Sequence, residues 1–155
     1  MAKSDVDSSN MAPTTPPPRK TRKDFQRLAE IRAKEAATLA KTGNQQGAYY
    51  LAGFSIECAL KACIAKKTRR HDFPADKDYA TKVYTHNLDQ LLKLAHLEAQ
   101  LYEDMKTRPL LANNWNIVRD WNVGCRYESS GLGGKEMTLA VNSPDGLLQW
   151  IKLHW

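Results

Sequence analysis

The stretch Gln45–Lys67, QQGAYYLAGFSIECALKACIAKK, is apolar on nearly every side of a helix. Ala48, Tyr49, Leu51, Ala52, Phe54, Ile56, Ala59, Leu60, Ala62 and Ile64 leave no continuous polar face. A helix of that pattern belongs in the middle of a bundle, because every side of it must be covered. It carries Glu57 and Lys61 near its centre, two ionisable groups that argue against a membrane span. The exceptions to its greasiness are ordered: Tyr50, Gly53, Glu57 and Lys61 lie three, four and four apart, a narrow stripe along one side. Glu57 and Lys61 stand in the favourable i,i+4 order. Groups of this kind are costly to bury unless paired or hydrogen-bonded, so the stripe must face a cleft, an interface or an opposite charge. Arg32, within the apolar face of the preceding helix, is one possible match.

On the N-terminal side, helical spacing starts at Asp24 and places Phe25, Leu28, Ala29, Arg32, Ala36 and Leu39 on one face. Thr42-Gly43-Asn44 stops that helix, with Gly43 as its C-terminal cap. A connection this short implies an antiparallel hairpin with the central helix. Residues 1–23 are rich in Ser, Thr and Pro, end in Arg19, Lys20, Arg22 and Lys23, and are expected to form a disordered tail. They contain no hydrophobic run, so no secretory leader is expected, and a cytoplasmic setting is the default.

On the C-terminal side, a polar connection from Thr68 to Thr85 contains Asp72-Phe73-Pro74. Thr85-His86-Asn87 opens a third helix whose buried face is Leu88, Leu91, Leu92 and Ala95. Short helices follow at Leu97–Lys106 and after Pro109, the latter with Leu110, Leu111, Trp115 and Val118. Residues 122–142 read as looser, with Met137–Val141 the only hint of strand alternation. Ser143-Pro144-Asp145 predicts a last helix from Pro144 to Trp155. The expectation is an all-α bundle over residues 24–155.

The 155 residues carry 23 Lys plus Arg against 17 Asp plus Glu, a formal charge of +6. That excess permits anionic partners without demanding them. Composition excludes a collagen, a disulfide scaffold and a wholly disordered chain. Cys58, Cys63 and Cys125 form no CxxC pair and read as small buried hydrophobes. His71, His96 and His154 have no metal-ligand spacing and read as surface residues. Ser130–Glu136 has glycines and a lysine but lacks the phosphate-loop spacing, and reads as a mobile loop. Arg126-Tyr127 combines a phosphate-binding guanidinium with a ring that can stack on a base. The structural alternative has Trp115 and Trp121 packing the core and Arg126 capping a helix or pairing with Glu57 or Asp120.

Tyr49–Ala62 resembles the second-helix signature of HEPN (higher eukaryotes and prokaryotes nucleotide-binding) domains. Tyr84–Leu92, Asn114-Trp115, Asp120-Trp121, Arg126-Tyr127-Glu128 and Leu148–Lys152 followed by Trp155 resemble later segments of one HEPN branch, in the same order. The resemblance spans about residues 24 to 155. It implies an up-down bundle of four to five helices, usually a homodimer, associated with nucleotide binding, RNA cleavage, or partnership with small nucleotidyltransferases in toxin–antitoxin pairs. RNase members carry an Arg followed about five residues later by His, and no arginine here has a histidine four to seven residues downstream. The expected function is therefore non-catalytic binding of a nucleotide or RNA, with Gly53, Glu57, Lys61, His86, Arg126 and Tyr127 as candidate ligand contacts, Gly53 leaving room for a backbone or base to approach and Lys61 meeting a phosphate. No catalytic residue, metal ligand or cofactor is assigned. An RNase with a non-standard site, such as Arg126 with His86, and a dimeric interaction module without ligand are the alternatives.

Overall fold

A computed structural model describes residues 20–68 and 81–155 of the chain. The tail up to residue 19, the Asp72-Phe73-Pro74 segment and His71 lie outside the described residues. The described part is helical throughout, with no strand.

Helix α1 (Arg22–Lys41) begins two residues before Asp24, so Arg22 and Lys23 belong to it and not to the tail. A capping box sets this start. Asp24 N donates to Thr21 Oγ1 (3.2 Å), and Thr21 N donates to Asp24 Oδ2 (2.7 Å), satisfying two backbone donors at once. The α1 stripe that becomes fully buried is Ala29, Ala33 and Ala36. Small residues there let α1 approach α2 (Gln45–Lys67) closely, and Ser55 Oγ donates to Ala29 O across the seam (2.7 Å). The turn between them has Gly43 at φ +82°, the left-handed conformation expected of a helix stop.

Helix α2 is the central rod. From Ala52 to Ile64 only Phe54 and Lys61 are less than buried. Around it pack α1, α3 (Leu88–Leu94), a 3-10 turn (Val123–Tyr127), α6 (Gly134–Asn142) and α7 (Leu147–Lys152). Helices α4 (Glu98–Thr107) and α5 (Pro109–Val118) pack on each other, and α5 reaches the rod's surroundings through α6 and α7. By length and composition α2 could cross a membrane, but two-thirds of its apolar window (67%) is buried inside the bundle.

Three expectations are corrected. The bundle has more and shorter helices than four to five. Residues 134–142 form helix α6, not loose chain or strand. Met137, Thr138, Ala140 and Val141 are buried while Leu139 points out, which is helical spacing. Of the glycines that suggested a loop, Gly134 serves close contact: a Cβ on it would lie 2.1 Å from Gln45 O. Finally, α7 starts at Leu147, not Pro144. Gly146 N closes a turn on Ser143 O (2.7 Å), and Asn114 Nδ2 holds Asp145 O (2.9 Å), so residues 143–146 are turned before the helix begins.

A candidate ligand surface along the central helix

The stripe expected on α2 exists, and its charges are answered mostly from within. Glu57 is buried, at 2% exposure. Lys61 Nζ donates to Glu57 Oε1 at 2.8 Å. His86 Nδ1 lies 3.0 Å from both carboxylate oxygens, which makes it the protonated nitrogen of the ring. The expected i,i+4 pair is therefore present, with a second partner in His86 that its neighbours' spacing did not reveal. Arg32, considered as a match for Glu57, instead pairs with Glu35 on its own helix. One turn along α1 was a shorter reach for its long side chain than the neighbouring rod.

His86 is delivered by the turn before α3. Asn87 caps that helix through Gln90 N (2.9 Å), and Thr85 Oγ1 accepts from Asn87 N (3.1 Å). These two bonds fix the backbone on either side of His86, whose ring is half exposed with its other face outward. Asp89, on the first turn of α3, holds Arg119 Nη2 (3.2 Å), locking α3 against the end of α5.

At the other end of the stripe the chemistry is aromatic. Tyr50 stacks on Phe54 (centroids 6.1 Å, planes 3° apart) and on Trp121 (6.2 Å, 20°). The Trp121 indole occupies the notch left by Gly53: a Cβ there would stand 2.2 Å from Trp121 Cδ1. Gly53 thus seats a core tryptophan, and the room expected for a ligand at this glycine is filled. Trp115 and Trp121 are both buried, as the structural alternative held. Arg126 does neither of the things that alternative offered. Its guanidinium lies 5.0 Å from the Tyr127 ring centre, and Tyr127 first, then Tyr50, hold it above its usual range. Tyr127 is 79% exposed, as is Tyr84 two residues before His86.

Comparison with known proteins finds no match: no family model, no curated protein and no solved structure is similar to the chain. The reading of the surface rests on its own geometry.

The six expected residues fall into two groups. Glu57, Lys61 and His86 form one ion-paired cluster. Arg126 and Tyr127 form a separate exposed pair, joined to α2 through Tyr50. Eleven residues of α2 separate Tyr50 from Lys61, about 16 Å of helix. That span suits successive units of a chain ligand better than one mononucleotide. Tyr50 was visible in the stripe and Phe54 lies one turn along the same helix, but the stack on Trp121 is made across the fold and was not legible.

The remaining expectations resolve plainly. The three cysteines are free and buried, and burial pushes the Cys58 thiol up to about 12 and Cys63 up to about 11. His96 is exposed, whereas His154 is half-buried against Trp150 (4.5 Å). In the Ser130–Glu136 segment, Lys135 N, a donor a phosphate would use, is taken by Gln45 Oε1 (2.7 Å). Beside it lies a shallow groove of about 460 Å³, edged by Tyr49, Cys125 and Gly131. Among the described residues no group of three or more His, Cys, Asp or Glu could hold a metal.

Proposed function

We propose that the chain is a HEPN-type protein that binds single-stranded RNA or a nucleotide without cleaving it, along the α2 surface. The observation that carries this reading is the Arg126–Tyr127 pair: an exposed ring with a guanidinium over it, beside Tyr50 of α2. Unpaired bases stack on exposed tyrosines, and arginine meets the phosphate between them. At the far end, Lys61 and His86 supply cationic or donor groups, and Glu57 holds both in place. The HEPN resemblance supports the same ligand class. It also supports a cytoplasmic homodimer that partners a nucleotidyltransferase in a toxin–antitoxin pair, and the mass of the purified protein, alone and with that partner, tests the assembly.

The test of binding is fluorescence anisotropy with labelled short oligoadenylate and oligouridylate, alongside thermal shift with ATP and GTP. One stacked base is worth about 1–3 kcal/mol, so Tyr127→Ala should weaken RNA binding roughly 5- to 150-fold. Arg126→Ala should weaken it and flatten its salt dependence. No binding at moderate salt, or binding indifferent to both changes, overturns the reading.

A second reading, an RNase with a non-standard site, draws on one observation. The His86 ring is half exposed while a buried carboxylate holds its Nδ1, an arrangement that suits a general base. Metal-independent cleavage of a labelled RNA, lost in His86→Ala, would favour it. Intact RNA after prolonged incubation would dismiss it.

A further inference from the structure

A second surface lies between α5 and α6, built without any residue of the ligand face. Leu110 and Ile117, seven residues apart on α5, line one wall of a trough of about 340 Å³. Glu136, Leu139 and Ala140 of α6, with the capping Ser143 just past its end, line the other. Leu110 to Ile117 is two helical turns, so the trough runs for about 10 Å along α5 where α6 packs against it. Two of its apolar members are open to solvent, Leu110 at 60% exposure and Leu139 at 57%, while Ile117 is half-buried and Ala140 buried. Leucines on a helix surface ordinarily turn inward, and here each helix has turned its other leucine or valine to the core: Leu111 and Val118 on α5, Val141 on α6. The charged groups at the rim are both acidic. Glu136 and Asp145 are exposed and make no ion pair among the described residues.

We infer that this trough docks an amphipathic helix with a leucine-type stripe and basic flanks, contributed by a partner protein. The seam between two packed helices is a groove into which a third helix can lay its apolar face, anchored at i, i+3 or i+4, and i+7. The two carboxylates select the partner's charge, since lysines or arginines beside its apolar stripe meet them at the rim. The same charges disfavour a second copy of this chain. A two-fold contact sets each patch against itself, bringing Glu136 and Asp145 toward their own counterparts. Two turns of helix also fall well short of the roughly 800 Å² per partner typical of a stable interface between globular proteins, but suit a peptide segment.

The probe is a pair of synthetic amphipathic helical peptides with identical leucine stripes, one flanked by lysines and one by glutamates. Anisotropy titrations against the full chain should show the lysine peptide binding at least tenfold tighter. NMR shift mapping on the unaltered protein should place it at Leu110, Ile117 and Leu139. Leu139→Asp should weaken binding at least tenfold. The double change Glu136→Lys with Asp145→Lys should reverse the preference toward the glutamate peptide. Because all these positions are exposed, circular dichroism should show unchanged helix content. Three results would overturn the proposal: equal binding of the two peptides, shifts that map to the Arg126–Tyr127 surface, or sedimentation showing a dimer that Leu139→Asp abolishes. None of these outcomes depends on whether the α2 surface binds RNA.

Discussion

Replacing Gly53 with alanine tests the notch on the central helix, because its effect should change sign with the residue opposite. In the unaltered protein the new methyl would stand 2.2–2.4 Å from three atoms of the Trp121 indole. Carbon atoms rest at about 3.5–4.0 Å, so the ring must retreat by more than an ångström. It has nowhere easy to go: Trp121 is 2% exposed and stacked on Tyr50. Overpacking of this severity sits near the upper end of about 1–3 kcal/mol. Alanine in mid-helix returns about 1 kcal/mol over glycine. The net expectation is a loss of about 2 kcal/mol. Trp121→Ala alone should cost about 3–5 kcal/mol, the range for truncating a buried tryptophan. In that background the clash is gone and only the helix preference remains, so Gly53→Ala should stabilise by about 1 kcal/mol. Urea denaturation of the four proteins gives the cycle directly, with a coupling of about 3 kcal/mol expected. If Gly53→Ala has the same sign and size in both backgrounds, the notch is not what the glycine is for. The room for a ligand at Gly53 would then be open again.

Other expectations follow from the ion pairs, thiols and caps. Lys61→Met leaves Glu57 buried with His86 as its remaining partner and should cost about 3 kcal/mol by denaturant titration; adding Glu57→Leu should recover part of that loss. Cys58 and Cys63 should resist a thiol reagent at pH 8 in the folded protein and react fully in denaturant, since burial keeps both protonated. Their folded values lie above the ordinary thiol value of 9.0, so the unfolded chain ionises first. Their contribution to stability is complete below pH 9 and should fall as pH rises toward 11 and 12, and Cys58→Ala with Cys63→Ala should flatten that alkaline loss in thermal melts. Asn87→Ala removes the α3 cap and should cost about 1 kcal/mol, measured in the same melts.

How much of this was readable in the sequence follows the range over which each feature acts. A helix that is apolar all round has one place to go, so the central position of Gln45–Lys67 and its hairpin with α1 were legible. So were the Asn87 cap, the Pro109 start and the Glu57–Lys61 pair, because each is made within a turn or two of chain. Residues 134–142 were misread because a glycine such as Gly134 looks the same whether it loosens a loop or lets a helix touch the Gln45 backbone. Gly53 was read as an opening for the same reason: an absent side chain does not say what fills its place.

The chain's local spacing thus determined that the protein is all-helical, which helix is central, and that a buried acid there must be answered. Folding chose the answer. His86, not Arg32, completes the Glu57 cluster, because the α3 cap points its ring at the rod while Arg32 finds Glu35 on its own helix. Tyr127 and Arg126 were set outward, and Leu110 and Leu139 left uncovered, by contacts between residues far apart in the chain. Periodicity states which side of a helix is apolar, but only the packing of its neighbours states how much of that side is covered.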